Sequence, residues 1–374
     1  MKKFLLIFTA TCLLISCSNK KTFQISGTLT DFGNPDDPTM LYLKTRTVDD
    51  LLINLDSTYL AKDGKFVLKG KSTETDLFFL ADKDNVFVIS IFIDPANKIT
   101  VSGSATDYNN IKIEGSKTQM FYNQYLSMIA LFQEEQDNIE QNFNNYLQDT
   151  ALSEEVFQKI KEGLIAEYEK LEAAIEATTI DFIRLNPNSI VAAYLAYRNV
   201  NMLETSAEIE QQLQLLDSTM DNKFTILAKG MLERVKQTEV GSVLVNIELP
   251  DAEGKLISLS SLRGKYVLVD FWATWCSPCV REIPNLKKIY QKYHEKGFEI
   301  YSISLDYSNE AWLNGIVLYE LDWITVTDLM GSPTAKQMAI KYIPHTFLLD
   351  PDGVIVAVNL REGALENKLE ELIR

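Results

Sequence analysis

From residue 23 to residue 113, apolar residues come in short runs: 23–29, 40–43, 59–61, 66–68, 77–80, 86–93, 99–101 and 111–113. Many alternate with polar residues, the period of a strand with one buried face. Turn-forming residues separate the runs, and repeated short strands spaced in this way predict an all-β sandwich. Asp63-Gly64 reads as a hairpin turn, and 86–93, the longest run, as a central strand. Past residue 117 the apolar period lengthens to that of a helix. Phe121, Tyr125, Met128, Phe132, Ile139, Phe143 and Tyr146 fall on one stripe, and Val156, Ile160, Leu164, Tyr168, Leu171 and Ile175 on another. Ser153 reads as the N-cap of the second helix, Asn186-Pro187-Asn188 as its end and Ser189 as the next cap. Further helices are expected over 207–216 and 224–235.

After residue 241 strands and helices alternate, the signature of an α/β domain. Strands are expected over 243–249 and 256–259, joined at Pro250-Asp251-Ala252-Glu253-Gly254, and over 266–272, 298–305, 323–326 and 354–358. One more strand opens at Pro344 and ends at the turn Pro351-Asp352-Gly353. Helices are expected from Cys276 with Pro284 as a kink, from Ser308 to Tyr319, over 333–341 and over 364–373. The fold class is therefore multidomain, divided as 1–17, 18–116, 117–240 and 241–374. These are a leader, a β-rich sandwich-like module, a helical region and an α/β domain.

The net charge of −16 argues against a nucleic-acid partner, which needs basic surface. Lys2 and Lys3 precede an apolar stretch that ends in Leu14-Ile15-Ser16-Cys17, a charged n-region and a short h-region. The stretch is too short for a permanent span, and its end resembles a bacterial lipobox with Cys17 as the lipidated residue. Apart from Cys12 and Cys17, the chain contains only Cys276 and Cys279; its only histidines are His294 and His345. That is too few ligands for the usual closed zinc site. One close pair in an exported chain fits a redox disulfide.

Residues 266–279 concentrate the chemistry. An apolar run buried on both faces leads into a helix whose first turn holds Cys276 and Cys279 on one side. Unpaired N–H groups and the helix dipole favour an anion at Cys276 and lower its thiol pKa. Asp270 is the one acid in the run. Burial raises a carboxyl pKa, which suits a proton acceptor for a neighbouring thiol.

Val269-Asp270-Phe271-Trp272-Ala273-Thr274-Trp275-Cys276-Ser277-Pro278-Cys279 resembles the active-site pattern of the thioredoxin superfamily. The longer run from Trp275 to Pro284 resembles its TlpA/ResA branch, membrane-tethered thiol-disulfide oxidoreductases of the bacterial envelope. The resemblance spans 240–374. It implies a thioredoxin-like domain in which Cys276 attacks, Cys279 resolves and Asp270 relays the proton. It also implies that Ile343-Pro344 is a cis bond and that Trp275, Ile343 and Pro344 meet the substrate. An insertion before that proline strand matches 310–341. ResA-like proteins are expected to carry their working acid in the insertion, which makes Glu310 and Glu320 second candidates. Glu282 matches the family pattern and reads either as a relay or as a surface residue. His345 stands where thioredoxin has threonine and reads in two ways: as a group near the thiolate that tunes its pKa or contacts substrate, or as a ring that strand alternation turns away from the thiols. His294 reads as a solvated residue near a helix C-terminus. Residues 22–116 resemble a domain of unknown function that precedes thioredoxin-like domains in bacterial lipoproteins, and this implies no chemistry.

The function implied is reduction of disulfides in exported proteins, with cytochrome c maturation as the family-level expectation. The electrons come from a transmembrane thiol-relay partner, no cofactor takes part, and a lipid anchor holds the chain at the envelope, facing the periplasm. One alternative is a peroxiredoxin-type peroxidase, although Phe271 to Cys276 lacks the proline of that signature. Another is an anchored binding or scaffold protein with an inert disulfide.

Overall fold

The computed structural model describes residues 21–32, 39–107, 110–148, 153–328 and 333–373. Cys12 and Cys17 lie outside them, and among the described residues no helix is long and apolar enough to cross a membrane. The chain forms two compact units, residues 1–193 and 194–374.

The first unit opens with β1 (Lys21–Thr30), β2 (Met40–Arg46), β3 (Leu52–Tyr59), β4 (Lys65–Ser72), β5 (Asp76–Ala81), β6 (Val88–Ile93), β7 (Lys98–Ser104) and β8 (Lys112–Glu114). They build two four-stranded sheets, ordered β4-β1-β7-β8 and β3-β2-β5-β6. Side chains from both sheets share one core, with the Phe23 and Phe78 rings 4.8 Å apart. This is the expected sandwich.

Three local expectations change. Asp63-Gly64 makes a tight turn, with Gly64 at φ 77°, but joins strands of different sheets rather than a hairpin. The turn residues fix the reversal, whereas the sheet that each strand joins is set by tertiary pairing. The run 86–93 is an edge strand, not a central one. Phe87, Ile89, Ile91 and Ile93 are buried in the sandwich core, and Phe92 is buried on the other face under helix α1 (Lys117–Gln148), while Val86 and Val88 are exposed. The Phe92 N–H donates to Gln119 Oε1 at 2.7 Å, and Tyr122 packs on the Phe92 ring. An apolar edge is thereby closed to foreign strands. Third, the strand expected over 59–61 lies earlier, at 52–59, and has no clear alternation, since Leu52, Ile53 and Leu55 are exposed. Pairing with β2 and the Lys69 N–H to Asp56 contact hold it.

Asp94 ends β6 and serves as the cap of α1, accepting the Lys117 N–H and the Thr118 and Ser116 hydroxyls. Helix α2 (Glu154–Leu185) begins at its Ser153 cap and packs on α1 through Phe121–Phe182 and Tyr125–Thr179 contacts. Helix α3 (Ile190–Val200) follows Ser189, whose hydroxyl accepts the Val191 N–H.

The second unit contains α4 (Ser206–Leu213), α5 (Lys223–Lys236), β9 (Glu248–Pro250), β10 (Leu256–Ser258), β11 (Tyr266–Trp272), α6 (Ser277–Tyr293), β12 (Phe298–Ser304), α7 (Asn309–Leu318), β13 (Ile324–Thr327), α8 (Pro333–Gln337), β14 (His345–Leu349), β15 (Ile355–Val358) and α9 (Glu362–Leu372). Its main sheet has the order β13-β12-β11-β14-β15, parallel over the first three strands, with β14 antiparallel to both neighbours. β11 lies in the middle, as its continuous apolar run requires. Leu268 and Trp272 enter the core on the α6 side, while Val267, Val269 and Phe271 enter the core on the other. Asp270 takes its place in the first row. Helix α8 stops at Gln337, short of the expected 341, because Ala339 adopts φ 54°, which a right-handed helix cannot continue. Lys341 Nζ then donates to the Val200 and Leu203 carbonyls, and the Tyr342 hydroxyl to Glu204. These bonds fasten the loop before β14 to the segment after α3.

Candidate active site

β11 ends at Trp272, and residues 273–275 carry the chain to α6. Cys276 is the N-cap of that helix, and its sulfur accepts the Cys279 N–H at 3.3 Å. The first attacking atom is thus placed where the helix end favours negative charge. A disulfide joins Cys276 to Cys279, with Cα atoms 5.3 Å apart. Both residues are largely buried, with 5% and 4% of their surface exposed. Trp275 beside them is 52% exposed and stacks on Tyr307, itself 90% exposed, with centroids 5.6 Å apart.

The loop is held from below by Asp306. Its carboxylate accepts the Thr274 N–H at 3.0 Å, the Thr274 hydroxyl at 2.6 Å and the Ser304 hydroxyl at 2.8 Å. Gly315 of α7 lies so near that a Cβ would meet Thr274 Cγ2 at 2.5 Å.

Behind the disulfide is a cavity of about 10 Å³, the size of a single water site. Asp270, Cys279, Glu282, Ser302, Trp323, Pro344 and Arg361 are among its walls. Burial pushes the Asp270 carboxyl up to about 6; the Arg361 charge and a Ser302 hydrogen bond pull the other way. The Ile343–Pro344 bond is cis, and Ile343 packs against the cores on both faces of the sheet.

The structure therefore gathers Cys276, Cys279, Asp270 and Pro344, with Trp275 at the rim. Of the second acids, Glu320 is exposed and pairs with Lys287 at 3.4 Å, and Glu310 is exposed in the first turn of α7. Neither lines the cavity. Glu282 does, and it is more than a surface glutamate: its Oε1 accepts the Glu362 N–H at 3.0 Å, capping α9 from outside. The insertion contributes an indole, Trp323, instead of an acid.

His345 faces away from the thiols, as alternation requires. It contacts Phe347 and Tyr342 and lines a separate cavity of about 310 Å³ with Met338 and Val358. Burial lowers its pKa to about 4, and the Arg361 charge adds to the effect. His294 follows α6 and lies 3.7 Å from the buried Glu299, so it is not simply solvated. Sequence reading missed Ser302, Trp323, Arg361 and Asp306. Ser302 pairs with Asp270 across the sheet, a register that the sequence does not show.

A central mixed sheet, a helix starting at a Cys-x-x-Cys disulfide and a proline strand beside it define a thioredoxin-like thiol-disulfide oxidoreductase. Residues 240–358 match the AhpC/TSA family, and 23–122 match DUF4369, a domain of unknown function. The chain is 32% identical over 148 residues to the thiol-disulfide oxidoreductase ResA of Bacillus cereus, covering 40% of this chain and 84% of the relative. Against the Bacillus subtilis ResA the figure is 36% over 122 residues, covering 32% and 65%. A solved thioredoxin domain from Bacteroides vulgatus is 38% identical and covers 36% of this chain and 99% of its own, with a TM-score of 0.34. The chain belongs to the ResA family of thiol-disulfide oxidoreductases.

Proposed function

We propose that this oxidoreductase works as a reductase of disulfides in exported proteins, with Cys276 as nucleophile. The observation that carries this reading is the Cys276–Cys279 disulfide, set at a helix N-terminus and backed by a cavity that also holds a buried acid. In the reduced protein, the Cys276 thiolate attacks one sulfur of the substrate disulfide. A mixed disulfide forms and the other substrate sulfur leaves as a thiolate. Cys279 gives its proton to Asp270 and attacks the Cys276 sulfur. The second substrate thiol is released, and two electrons have passed from the dithiol to the substrate. Ile343, on the loop before β14, offers backbone to an extended substrate, and Pro344 and Trp275 border the approach.

In this reading Cys17 carries a lipid anchor that holds the chain at the envelope, facing the periplasm, and a transmembrane thiol relay re-reduces the dithiol. Cytochrome c maturation is the process the family resemblance suggests. Cys279→Ala should accumulate mixed disulfides that identify the natural substrates, and Cys276→Ser should abolish reduction of insulin disulfides. Retained turnover in Cys276→Ser would refute the role. Cys17→Ala should move the protein from the membrane to the soluble fraction; an unchanged distribution would refute the anchor.

A further inference from the structure

Asp270 stands in a row that crosses three strands, with Ser302 beside it on β12 and Thr346 on β14. Only the first makes a bond to it: the Ser302 hydroxyl donates to Asp270 Oδ2 at 3.2 Å. Thr346 Oγ1 is buried without a hydrogen-bond partner among the described residues. A serine hydroxyl has one proton and can turn it in several directions. Here the choice is removed, because the Trp323 indole N–H donates to Ser302 Oγ at 2.9 Å. With that donor on its oxygen, the serine proton is left to point at the carboxylate. Both side chains are buried, and the three residues form a directed chain from the indole through the hydroxyl to the acid.

We propose that Ser302, aimed by Trp323, is a positioning residue that fixes the Asp270 carboxyl at the floor of the dithiol cavity. It occupies one carboxylate oxygen and leaves the other to receive a proton. The inference rests on Asp270 being the proton acceptor. It also gives the segment between β12 and β14 a role, since that segment delivers the indole that orients the relay. The charges facing Asp270 are Glu282 of α6 and Arg361 ahead of α9, while β12 and β14 present neutral hydroxyls.

The test is a carbon-13 carboxyl NMR titration of the oxidised full chain, in which neither cysteine titrates. A hydroxyl that donates to a carboxylate favours its ionised form. Ser302→Ala should therefore raise the Asp270 midpoint by roughly half to one pH unit, given the usual worth of one such bond. Trp323→Phe should raise it by less, and Ser302→Thr should restore it. A midpoint that stays put or falls in Ser302→Ala overturns the inference; if that variant does not fold, an unmoved midpoint in Trp323→Phe overturns it equally. The pH profile of reductase activity then separates the two levels. A profile that follows the NMR midpoints supports both. NMR shifts with an unmoved profile leave Ser302 as the positioner and refute Asp270 as the relay.

Discussion

Asp270 and His345 lie one register step apart on paired strands and face opposite sides of the sheet. β11 and β14 pair Asp270 with Thr346 and Phe271 with His345, so the acid enters the dithiol cavity and the imidazole enters the cavity lined by Phe347 and Met338. Burial drives both groups toward their neutral forms, which for an acid and a base means opposite responses to pH. Asp270 titrates near 6 in the folded protein and near 3.8 when unfolded, so its ionisation costs about 3 kcal/mol of stability once complete. The folded state holds the extra proton between those values, and stability falls as pH rises through them. Asp270→Asn should raise the melting temperature of the oxidised protein at pH 7.5 and leave it nearly unchanged below pH 3.8. An equal effect at both pH values would contradict the assignment.

His345 runs the other way. Its folded pKa is depressed from 6.5 to about 4, so the unfolded chain takes up the proton first and stability is lost as pH falls between those values. His345→Gln should remove a loss of about 3 kcal/mol over that window. Chemical denaturation at pH 4.5 and at pH 7.5 checks it. Because the ring lies behind the sheet, reactivity of the dithiol should hardly change.

Glu282 joins two helices. Removing its carboxylate with Glu282→Ala leaves the Glu362 N–H at the start of α9 unpaired, at a cost of about 1 kcal/mol. Amide exchange at residue 362 should accelerate by about fivefold, the equivalent of that energy, while amides in β11 should stay protected. Uniform acceleration across the second unit would point to global destabilisation instead.

Asp306 holds the turn that presents Trp275 and Cys276. Asp306→Ala strips an acceptor from two hydroxyls and one N–H in a buried place, which should cost about 3 kcal/mol or more. Asp306→Asn, which keeps an acceptor oxygen, should recover part of that. Of the four tryptophans Trp275 is the exposed one, so the acrylamide-quenchable emission reports the loss: its anisotropy should fall in the alanine variant and stay near the wild-type value in the asparagine variant.

The parts of the site that sequence pattern reveals are the contiguous ones. An apolar run followed by a cysteine pair at helix spacing places the β11–α6 junction, and Asp270 stands out because an acid there breaks the pattern. Ser302, Asp306, Trp323 and Arg361 come from segments well beyond that junction, and the folding of the chain around the sheet brings them in. None carries a local signal. Ser302 is one of several serines, and Trp323 is indistinguishable in sequence from a core residue. The same limit explains the first unit, where 86–93 is apolar enough for a central strand yet lies at an edge under α1. Burial is readable from composition, but the element that supplies it is not. His345 and Glu282 divide along the same line. Strand alternation puts the histidine on the correct side of the sheet, whereas helix periodicity could not foresee that the glutamate caps α9.

The most direct measurement is alkylation of the reduced protein by iodoacetamide across pH, with each cysteine followed by mass spectrometry. Cys276 should react before Cys279, with a midpoint below the ordinary thiol value of about 8.5. Modification of Cys279 first, or a Cys276 midpoint at or above about 8.5, would contradict the assignment of Cys276 as the nucleophile.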